Sequence, residues 1–419
     1  MRIEAVDAGD ARAVLRGLRG AVLGAGPAIA LGAGGAGAAP LPAEVPAGTA
    51  VVVTTSGSTG YPKSVALSRS ALTASALATA ARIGEGAWLL ALPAGYIAGV
   101  QVLVRSLVAG REPAILSGSF SATAFTAAAS AMASSDGGHP VPTYTSLVPA
   151  QLQTVLDAVD AGDAGAARAL ASFAAILVGG QALDPALAAR AAAAGARIVR
   201  TYGSSETAGG CVYDGIALDG VGVRIDGGEV QLSGPTLADG YLGADFAPDP
   251  ARTAAAFTID GAGTRWYRTG DAGVVEGGRL RVTGRLDNVI VSGGVNVSLD
   301  RVEGVVRSLD GFADAVLVPV ADERWGEASV VVSAGAAARR PGALDAVRDA
   351  VERALGKPAR PRAVVPVDEV PLLPSGKPDR VALRALVADE APVADTTPAP
   401  DTTPAPDPTP APDEAPTAD

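Results

Sequence analysis

The sequence predicts a mixed α/β (α+β) fold, with a large N-terminal domain of helix-covered sheets and a small α+β domain near the C-terminal end. Three observations support this. The chain has 419 residues, more than one compact core usually accommodates. From residue 50 onward, short apolar runs alternate with helical patterns, which is typical of a parallel or mixed sheet covered by helices. After residue 210 short strands around glycine-containing turns indicate a β-rich subdomain.

The individual elements follow from apolar runs and capping residues. Asp184 and Pro185 are a good N-cap and first-turn pair for a helix over 186–194. Before residue 210 we predict strands at 51–54, 88–92, 174–178 and 198–201, with helices at 68–82 and 98–108. In the β-rich part we predict strands at 221–225, 229–232, 266–268, 273–275 and 280–282. In the last part we predict helices at 299–308 and 344–355, with strands at 315–320 and 328–332.

Both ends of the chain have a biased composition. Residues 17–48 are rich in Gly, Ala and Pro, and 32–37 match the dinucleotide pattern GxGxxG. No apolar strand is predicted directly before that pattern and prolines follow it, so a flexible link is favoured over a dinucleotide site. The tail repeats acids and prolines without Lys or Arg, which predicts disorder. The predicted division is a shortened segment and link (1–49), a large domain (50–286, β-rich from about 211), a small domain (287–388) and an acidic Pro-rich tail (389–419).

Composition excludes several classes of protein. The formal net charge of −11 argues against a nucleic-acid binder, and no apolar run is long enough to span a bilayer. The N-terminal residues carry acids where a secretory signal would be basic, and Cys211 is the only cysteine. We therefore expect a cytoplasmic protein with small-molecule partners and no membrane insertion. The sequence leaves the oligomeric state open, a homodimer included.

A loop at 54–64 follows a predicted strand and precedes a predicted helix. Its glycines let the backbone approach a phosphate, and its hydroxyls, amides and Lys63 can bind one. A Walker A motif is excluded because Pro62 precedes the lysine. The loop alone could equally be an ordinary surface loop. Its candidate nucleotide-binding residues are Thr55, Ser56, Gly57, Ser58, Thr59, Gly60 and Lys63.

Four further motifs follow the loop in order. They lie at 200–207 (RTYGSSET), 267–271 (YRTGD), 284–294 (GRLDNVIVSGG) and 373–377 (LPSGK). Together with the loop they resemble the motifs of the ANL superfamily of adenylating enzymes, which includes acyl-CoA synthetases. Ser64 departs from the family pattern, which has glycine there. About fifty residues of this sequence precede the loop, against well over a hundred in long members, so we expect part of their N-terminal subdomain to have no counterpart in it.

The resemblance implies ATP, Mg²⁺ and coenzyme A as reactants and cofactor. It implies that Tyr202 beside Gly203 stacks on adenine, that Thr207 contacts the α-phosphate and that Glu206 binds Mg²⁺. It further implies that the ribose is held by Asp271 and Arg285. Taken singly, each of these residues could also have no role in binding, for example as a solvated glutamate or an aspartate in a turn.

The resemblance also implies two catalytic conformations. Lys377, carried by the mobile small domain, would catalyse adenylation together with Lys63 and Glu206. Asp287 would be the pivot between the domains, and Gly293 with Gly294 would line the entrance for the pantetheine arm of coenzyme A. An isolated exposed lysine after Ser-Gly would carry no such meaning.

Three stretches, at 92–106, 144–152 and 201–215, resemble the o-succinylbenzoate–CoA ligases of menaquinone biosynthesis, in particular their short-chain form. That acid has two carboxylates, and Arg105 is the candidate cation for the one that is not activated; an exposed helix arginine is the alternative. Tyr96 stands where the superfamily often has a histidine that gates the acyl pocket. The remaining candidate lining residues are Ser146, Gly179, Gly180, Ser204 and Ala208.

Two other functions remain open at this point. One is an acyl- or aryl-CoA ligase of different specificity, and the other is a non-catalytic AMP-binding protein. The presence of all the charged motif residues argues against the second. The lone His139 is interpreted as a loop residue.

Overall fold

The computed structural model describes residues 1–32, 44–55, 63–132, 134–243, 245–373 and 376–389. The candidate nucleotide-binding residues Ser56–Gly60 lie outside the described residues, and so does the tail from residue 390. No helix in the described part of the chain is long and apolar enough to cross a membrane.

The elements of the described residues are as follows, in chain order. The first part contains β1 (Ile3–Val6), α1 (Ala11–Leu23), β2 (Ala28–Leu31), β3 (Thr49–Thr55), β4 (Lys63–Ser68), α2 (Arg69–Ile83), β5 (Ala87–Leu90) and α3 (Ile97–Val108). The next part contains β6 (Ala114–Ile115), α4 (Ala122–Ser130), β7 (Ser135–Asp136), β8 (His139–Pro140), β9 (Thr143–Leu147), α5 (Pro149–Asp160), α6 (Ala164–Ser172), β10 (Ala175–Val178), α7 (Pro185–Ala193), β11 (Ile198–Ser204), β12 (Gly209–Tyr213) and β13 (Ile216–Ala217).

The chain then turns to shorter strands. This part contains β14 (Gly222–Asp226), β15 (Glu229–Ser233), β16 (Gly240–Leu242), α8 (Pro250–Ala256), β17 (Phe257–Ile259), β18 (Arg265–Glu276) and β19 (Arg279–Arg285). The last part contains β20 (Val289–Ser292), β21 (Val295–Ser298), α9 (Leu299–Arg307), β22 (Val316–Asp322), β23 (Gly326–Ser333), α10 (Ala343–Leu355), β24 (Ala363–Pro366) and α11 (Arg380–Asp389).

Two sheets form the body of the large part of the molecule. In one, β5, β6, β9, β10 and β11 run parallel, with β12 and β13 added antiparallel at one edge, in the order β13-β12-β11-β10-β9-β5-β6. The other has the order β1-β2-β3-β4-β16, and β16 pairs antiparallel with β4 although it lies far along the chain. The mixed α/β fold class predicted from the sequence is confirmed.

Two further sheets are mostly antiparallel. β14, β15, β18 and β17 form an antiparallel sheet in that order, and β19 also pairs with β18. The last sheet has the order β21-β20-β23-β22, with β24 parallel to β23. The apolar side chains from Ile290 onward form clusters of their own, separate from those of the preceding sheets. This separation agrees with a small C-terminal domain, although the domain boundaries themselves stay a prediction.

The flexible link predicted at 17–48 is wrong for the residues up to 32. Helix α1 continues to Leu23, and β2 is a fully buried strand paired in parallel with β1 and β3. The small residues serve close packing, since a Cβ on Gly26 would lie 3.0 Å from the Cα of Gly20. A strand therefore does run directly into Gly32, contrary to the sequence interpretation, and residues 33–43 lie outside the described part.

Two strands predicted separately, at 266–268 and 273–275, are one strand. β18 runs through the intervening residues and accommodates two irregularities. Gly270 adopts a left-handed conformation (φ +71°), and the pairing register with β19 shifts between Ala272 and Gly273, as in a β-bulge. A hairpin not predicted from the sequence also appears. Its strands β20 and β21 are joined at Gly293 and Gly294, both with positive φ, as a tight hairpin turn requires.

Candidate active site

A tight turn at the end of β11 presents Glu206. The strand ends at Ser204, a short 3₁₀ turn covers Ser205–Thr207, and β12 returns antiparallel from Gly209. Gly203 is required here, because a Cβ on it would lie 2.1 Å from the carbonyl oxygen of Gly209. The Thr207 hydroxyl donates to that same carbonyl at 2.8 Å and accepts from the Ser204 amide at 2.8 Å. The turn is therefore fixed by its own hydrogen bonds.

Glu206 is buried and faces a tyrosine from a distant strand. Its Oε1 accepts a hydrogen bond from the hydroxyl of Tyr241 at 2.8 Å. Burial and the neighbouring Glu206 raise the pKa of Tyr241, so this phenol stays protonated and donates. Tyr241 belongs to β16, which pairs with the strand that begins at Lys63, and the Lys63 Nζ lies 5.8 Å from its ring centroid. Lys63 and Glu206 thus both lie near one tyrosine, the lysine near its ring and the glutamate at its hydroxyl.

The residues around Glu206 suit a magnesium ion that arrives with phosphates. Among the described residues no group of three or more His, Cys, Asp or Glu side chains could hold a metal ion. Mg²⁺ is commonly bound by one or two carboxylates together with substrate phosphates and water. A single carboxylate beside a lysine fits that arrangement and does not fit a metal site built from protein ligands alone.

Asp271 and Arg285 face each other across β18 and β19. Arg285 Nη1 donates to Asp271 Oδ1 at 3.1 Å, and its Nε and Nη2 donate to the two carboxylate oxygens of Asp287 at 2.9 Å each. The Tyr202 hydroxyl donates to Asp271 Oδ2 at 2.5 Å. Burial raises the pKa of Asp271, while Arg285 lowers that of Asp287. Each carboxylate oxygen has a second lone pair, so Asp271 can still accept from a ribose.

A buried glutamate that the sequence did not single out supports this pair. Glu229 accepts from Arg268 Nε and from the amide of Gly270, both at 2.9 Å. Its carboxylate thereby holds the turn that leads into Asp271. No sequence signal identifies it, because a lone glutamate at the start of a strand is ordinary.

The last motif reaches the same site. Lys377 keeps solvent-exposed surface, but partial burial of its ammonium group lowers its pKa, and the negative charges of Glu206 and Asp271 oppose that shift. The carbonyl of Gly376 accepts from Gln181 Nε2 at 3.1 Å. The Cε of Lys377 lies 4.0 Å from where a Cβ on Gly180 would be. The structure therefore places Lys377 close enough to Glu206 and Asp271 for their charges to act on it.

The segment between the two parts of the molecule is tied down by one aspartate. Asp300 Oδ2 accepts from the amide of Arg285 at 2.6 Å, and its Oδ1 accepts from Asn288 Nδ2 at 2.7 Å. In the β20–β21 turn, a Cβ on Gly293 would lie 2.5 Å from the ring of Trp325, whereas one on Gly294 would meet no atom within 4 Å. Glycine at 293 is thus required both by the Trp325 contact and by its positive φ, whereas at 294 the positive φ alone favours glycine.

Arg105 lies on α3 with its side chain inside the protein, so the exposed arginine offered as the alternative is wrong. It is 6% exposed, and its guanidinium lies 4.9 Å from the ring centroid of Trp88. Nη2 donates to the Tyr213 hydroxyl at 3.3 Å, and the buried Nε has no partner in the described structure. Burial lowers the pKa of Arg105, and none of the carboxylates in the described part of the chain forms an ion pair with it.

The remaining candidates lie around the same sheet. Tyr96 is the N-cap of α3 and is partly buried, which raises the pKa of its phenol. Ser146 is buried in β9, Ala208 is buried with φ +49°, and Gly179 packs against Thr201. Thr207 is fully buried, and its hydroxyl donates a hydrogen bond within its own turn. These assignments of roles stay predictions. His139 is exposed on the small hairpin of β7 and β8.

Comparison with known proteins gives matches over most of the chain. The family model described as AMP-binding enzyme matches residues 30–242, and that of the AMP-binding enzyme C-terminal domain matches 301–377. The chain is 42% identical over 352 residues to a probable 2-succinylbenzoate–CoA ligase of Mycobacterium tuberculosis, covering 82% of this chain and 85% of that protein. It is 28% identical to the 2-succinylbenzoate–CoA ligase of Enterococcus faecalis, covering 78% and 67%.

Solved structures agree with these matches. A variant of Escherichia coli MenE with bound OSB-AMS superposes with a TM-score of 0.64 at 26% identity, covering 84% of this chain and 72% of that one. The o-succinylbenzoate CoA synthetase (MenE) of Bacillus subtilis, in complex with the acyl-adenylate intermediate OSB-AMP, has a TM-score of 0.66 at 25% identity, covering 82% and 70%.

Proposed function

This chain belongs to the AMP-binding enzyme family, and from that membership we propose that it is a 2-succinylbenzoate–CoA ligase. It activates o-succinylbenzoate as an acyl-adenylate at the expense of ATP and then transfers the acyl group to coenzyme A. The thioester product serves menaquinone biosynthesis, as the name MenE of the similar proteins implies. A cytoplasmic location and the use of Mg²⁺ are part of the proposal.

The observation that favours this acid is the environment of Arg105. A buried cation without a carboxylate partner is costly unless a ligand supplies the opposite charge. The substrate has two carboxylates, and only one can be converted to the adenylate. Arg105 supplies the cation that the second carboxylate requires, and a guanidinium can bind it through two parallel hydrogen bonds. A fatty acid offers this arginine no such partner.

The first step joins two anions, so charge must be neutralised as the bond forms. The acid carboxylate attacks the α-phosphorus of ATP, and pyrophosphate leaves. Lys63 and Lys377 lie near Glu206 and Asp271, where their ammonium groups would hold phosphate oxygens and the attacking carboxylate in line. Mg²⁺ bound through Glu206 would neutralise further phosphate charge when present. Asp271 and Arg285 would orient the ribose.

In the second step the thiol of coenzyme A attacks the acyl carbon, the thioester forms and AMP leaves. The interaction of Lys377 with the charges of Glu206 and Asp271, together with the hydrogen bond from Gln181 to Gly376, supports assigning this arrangement to the first step. We propose that the small domain then rotates about Asp287, withdraws Lys377 and brings the Gly293–Gly294 turn to the pantetheine entrance. Such an alternation gates the two half-reactions.

A panel of acids tests the proposal. Pyrophosphate release is measured with ATP, Mg²⁺ and coenzyme A for o-succinylbenzoate, for two analogues that each lack one of its carboxylates, and for medium-chain fatty and aryl acids. We expect turnover to be fastest with o-succinylbenzoate. Turnover confined to fatty or simple aryl acids would indicate a ligase of other specificity, and no turnover with any acid would indicate a non-catalytic AMP-binding protein.

A variant of the arginine narrows the test. Arg105→Met keeps much of the side-chain volume and removes the charge, so the surrounding packing is largely retained. We expect the KM for o-succinylbenzoate to rise by about a hundredfold, the value of one strong charge-assisted contact. The KM for the analogue that lacks the unactivated carboxylate should change little. An equal effect on both acids would contradict the assigned role.

A further inference from the structure

A continuous chain of hydrogen bonds leads from helix α2 to Arg105. The Thr79 hydroxyl donates to the carbonyl of Ser75 at 2.9 Å, the Thr79 and Tyr213 hydroxyls lie 2.9 Å apart, and Arg105 Nη2 donates to the Tyr213 hydroxyl at 3.3 Å. Thr79 and Tyr213 are 1% and 2% exposed, so bulk water does not compete for these bonds. Three elements, α2, β12 and α3, each contribute one member.

The direction of each bond follows from the number of protons available. Thr79 has a single hydroxyl proton, and it is donated to Ser75. The Thr79 oxygen must therefore accept from Tyr213, whose only hydroxyl proton is used in that bond. What Tyr213 then offers to Arg105 is a lone pair, which suits a guanidinium because all its polar hydrogens are donors. The threonine thus orients the tyrosine as an acceptor.

This arrangement holds the arginine without cancelling its charge. A carboxylate at the position of the Tyr213 hydroxyl would form an ion pair and leave little attraction for a substrate anion. A neutral hydroxyl fixes one nitrogen and leaves the positive charge available, while the Trp88 ring supports the guanidinium at 4.9 Å. The buried Nε, which has no partner among the described residues, leaves a donor for a ligand.

We propose that Tyr213 and Thr79 are positioning residues that determine specificity for a dicarboxylic acid by holding Arg105 ready for the carboxylate that is not activated. The inference rests on the function proposed above and extends it to two residues that lie outside the five adenylation motifs. Tyr213 fixes the guanidinium, and Thr79 fixes the hydroxyl of Tyr213. Their loss impairs binding of the distal carboxylate and spares the chemical steps.

The experiment uses the full chain and three variants. Tyr213→Phe removes only the hydroxyl, Thr79→Val removes the acceptor at nearly constant volume, and Thr79→Ser keeps the hydroxyl and serves as the matched control. Pyrophosphate release is measured against the concentration of o-succinylbenzoate and of the analogue without the unactivated carboxylate, at saturating ATP and coenzyme A. Thermal midpoints are recorded for every variant.

We expect Tyr213→Phe to raise the KM for o-succinylbenzoate about tenfold with kcat within about twofold, as the loss of one hydrogen bond to a charged group predicts. For the analogue, the KM should stay within about twofold of wild type, because no distal carboxylate is bound. Thr79→Val should raise the KM for o-succinylbenzoate about threefold, and Thr79→Ser should restore it, since only the hydroxyl matters.

Two results would overturn the proposal: an unchanged KM for o-succinylbenzoate in Tyr213→Phe, or an equal rise for both acids. If Tyr213→Phe does not fold, the comparison of Thr79→Val with Thr79→Ser decides in the same way. Failure of the wild-type protein to use o-succinylbenzoate at all would instead overturn the proposed function, and the two failures are thereby distinguished.

Discussion

The side-chain amide of Gln181 donates a hydrogen bond to the backbone carbonyl of Gly376, 3.1 Å away. Gln181 follows strand β10 of the parallel sheet, whereas Gly376 directly precedes Lys377. This bond joins the two parts of the molecule at the point where the lysine enters the site. In the proposed alternation of the small domain this bond forms in the adenylation arrangement and breaks when Lys377 withdraws.

Lys377→Ala should separate the two half-reactions. Removing an ammonium group that stabilises developing charge should slow adenylation about 10²- to 10³-fold. Thioester formation from supplied acyl-adenylate and coenzyme A should stay within a few-fold of wild type, because the lysine has no part in that step. Pyrophosphate release and thioester formation are measured separately. An equal loss in both would contradict the assignment of Lys377 to the first step.

Gln181→Ala should weaken the docking of the loop that carries Lys377. The loss of one neutral hydrogen bond, worth about 1 kcal/mol, should reduce the rate of adenylation about fivefold. Thioester formation from supplied acyl-adenylate should be unchanged or faster, since the competing arrangement is disfavoured. Gln181→Met is a neutral variant of similar size that cannot donate to the carbonyl, and it should behave like alanine. Normal adenylation in both variants would show that the bond contributes nothing.

Glu206→Gln should change the dependence on magnesium. The amide oxygen can still accept from the Tyr241 hydroxyl, so the turn at Ser205–Thr207 should keep its shape. The lost negative charge should raise the Mg²⁺ concentration for half-maximal pyrophosphate release about tenfold or more. Tyr241→Phe, which removes the hydroxyl but not the carboxylate, is the control and should shift this concentration much less. A Mg²⁺ dependence like that of wild type in Glu206→Gln would argue for another ligand.

Gly203→Ala should destabilise the protein, whereas Gly304→Ala should not. A Cβ on Gly203 would lie 2.1 Å from the carbonyl oxygen of Gly209, so the hairpin of β11 and β12 would have to shift. This shift should lower the free energy of unfolding by about 1–3 kcal/mol. Gly304 lies inside helix α9, and a Cβ there would meet no atom within 4 Å. Alanine at 304 should stabilise the helix by about 0.5–1 kcal/mol. Thermal midpoints of the two variants should therefore move in opposite directions.

The parts of the site that sequence could predict are those written as contiguous motifs. Glu206, Asp271 and Lys377 each lie in a short contiguous motif, and in the structure the charge of Lys377 interacts with those of the other two. Tyr241 and Glu229 could not be predicted in the same way. Each reaches the site through strand pairing or burial that no local pattern encodes, and a tyrosine or glutamate in a short strand is ordinary.

The fold shows the same division between local and distant information. The helices α2, α3 and α10 follow from local apolar spacing and were predicted to within a few residues. The strand β2 was missed because its alanines resemble those of the surrounding Gly- and Ala-rich segment, and only pairing with β1 and β3 distinguishes it. The burial of Arg105 also depends on tertiary packing, because the local sequence is equally compatible with an exposed arginine on a helix.

The pairing of β4 with β16 has a consequence for synthesis on the ribosome. β4 begins at Lys63, and its neighbour on one side is the much later segment Gly240–Leu242. Until that segment emerges, the nascent chain exposes one edge of β4 with unpaired backbone groups, a template for association with other chains. Because Tyr241 and Lys377 also arrive late, ATP cannot stabilise the early nascent chain by binding to this site. ATP binding can therefore contribute to the stability of this sheet only after most of the chain has been synthesised.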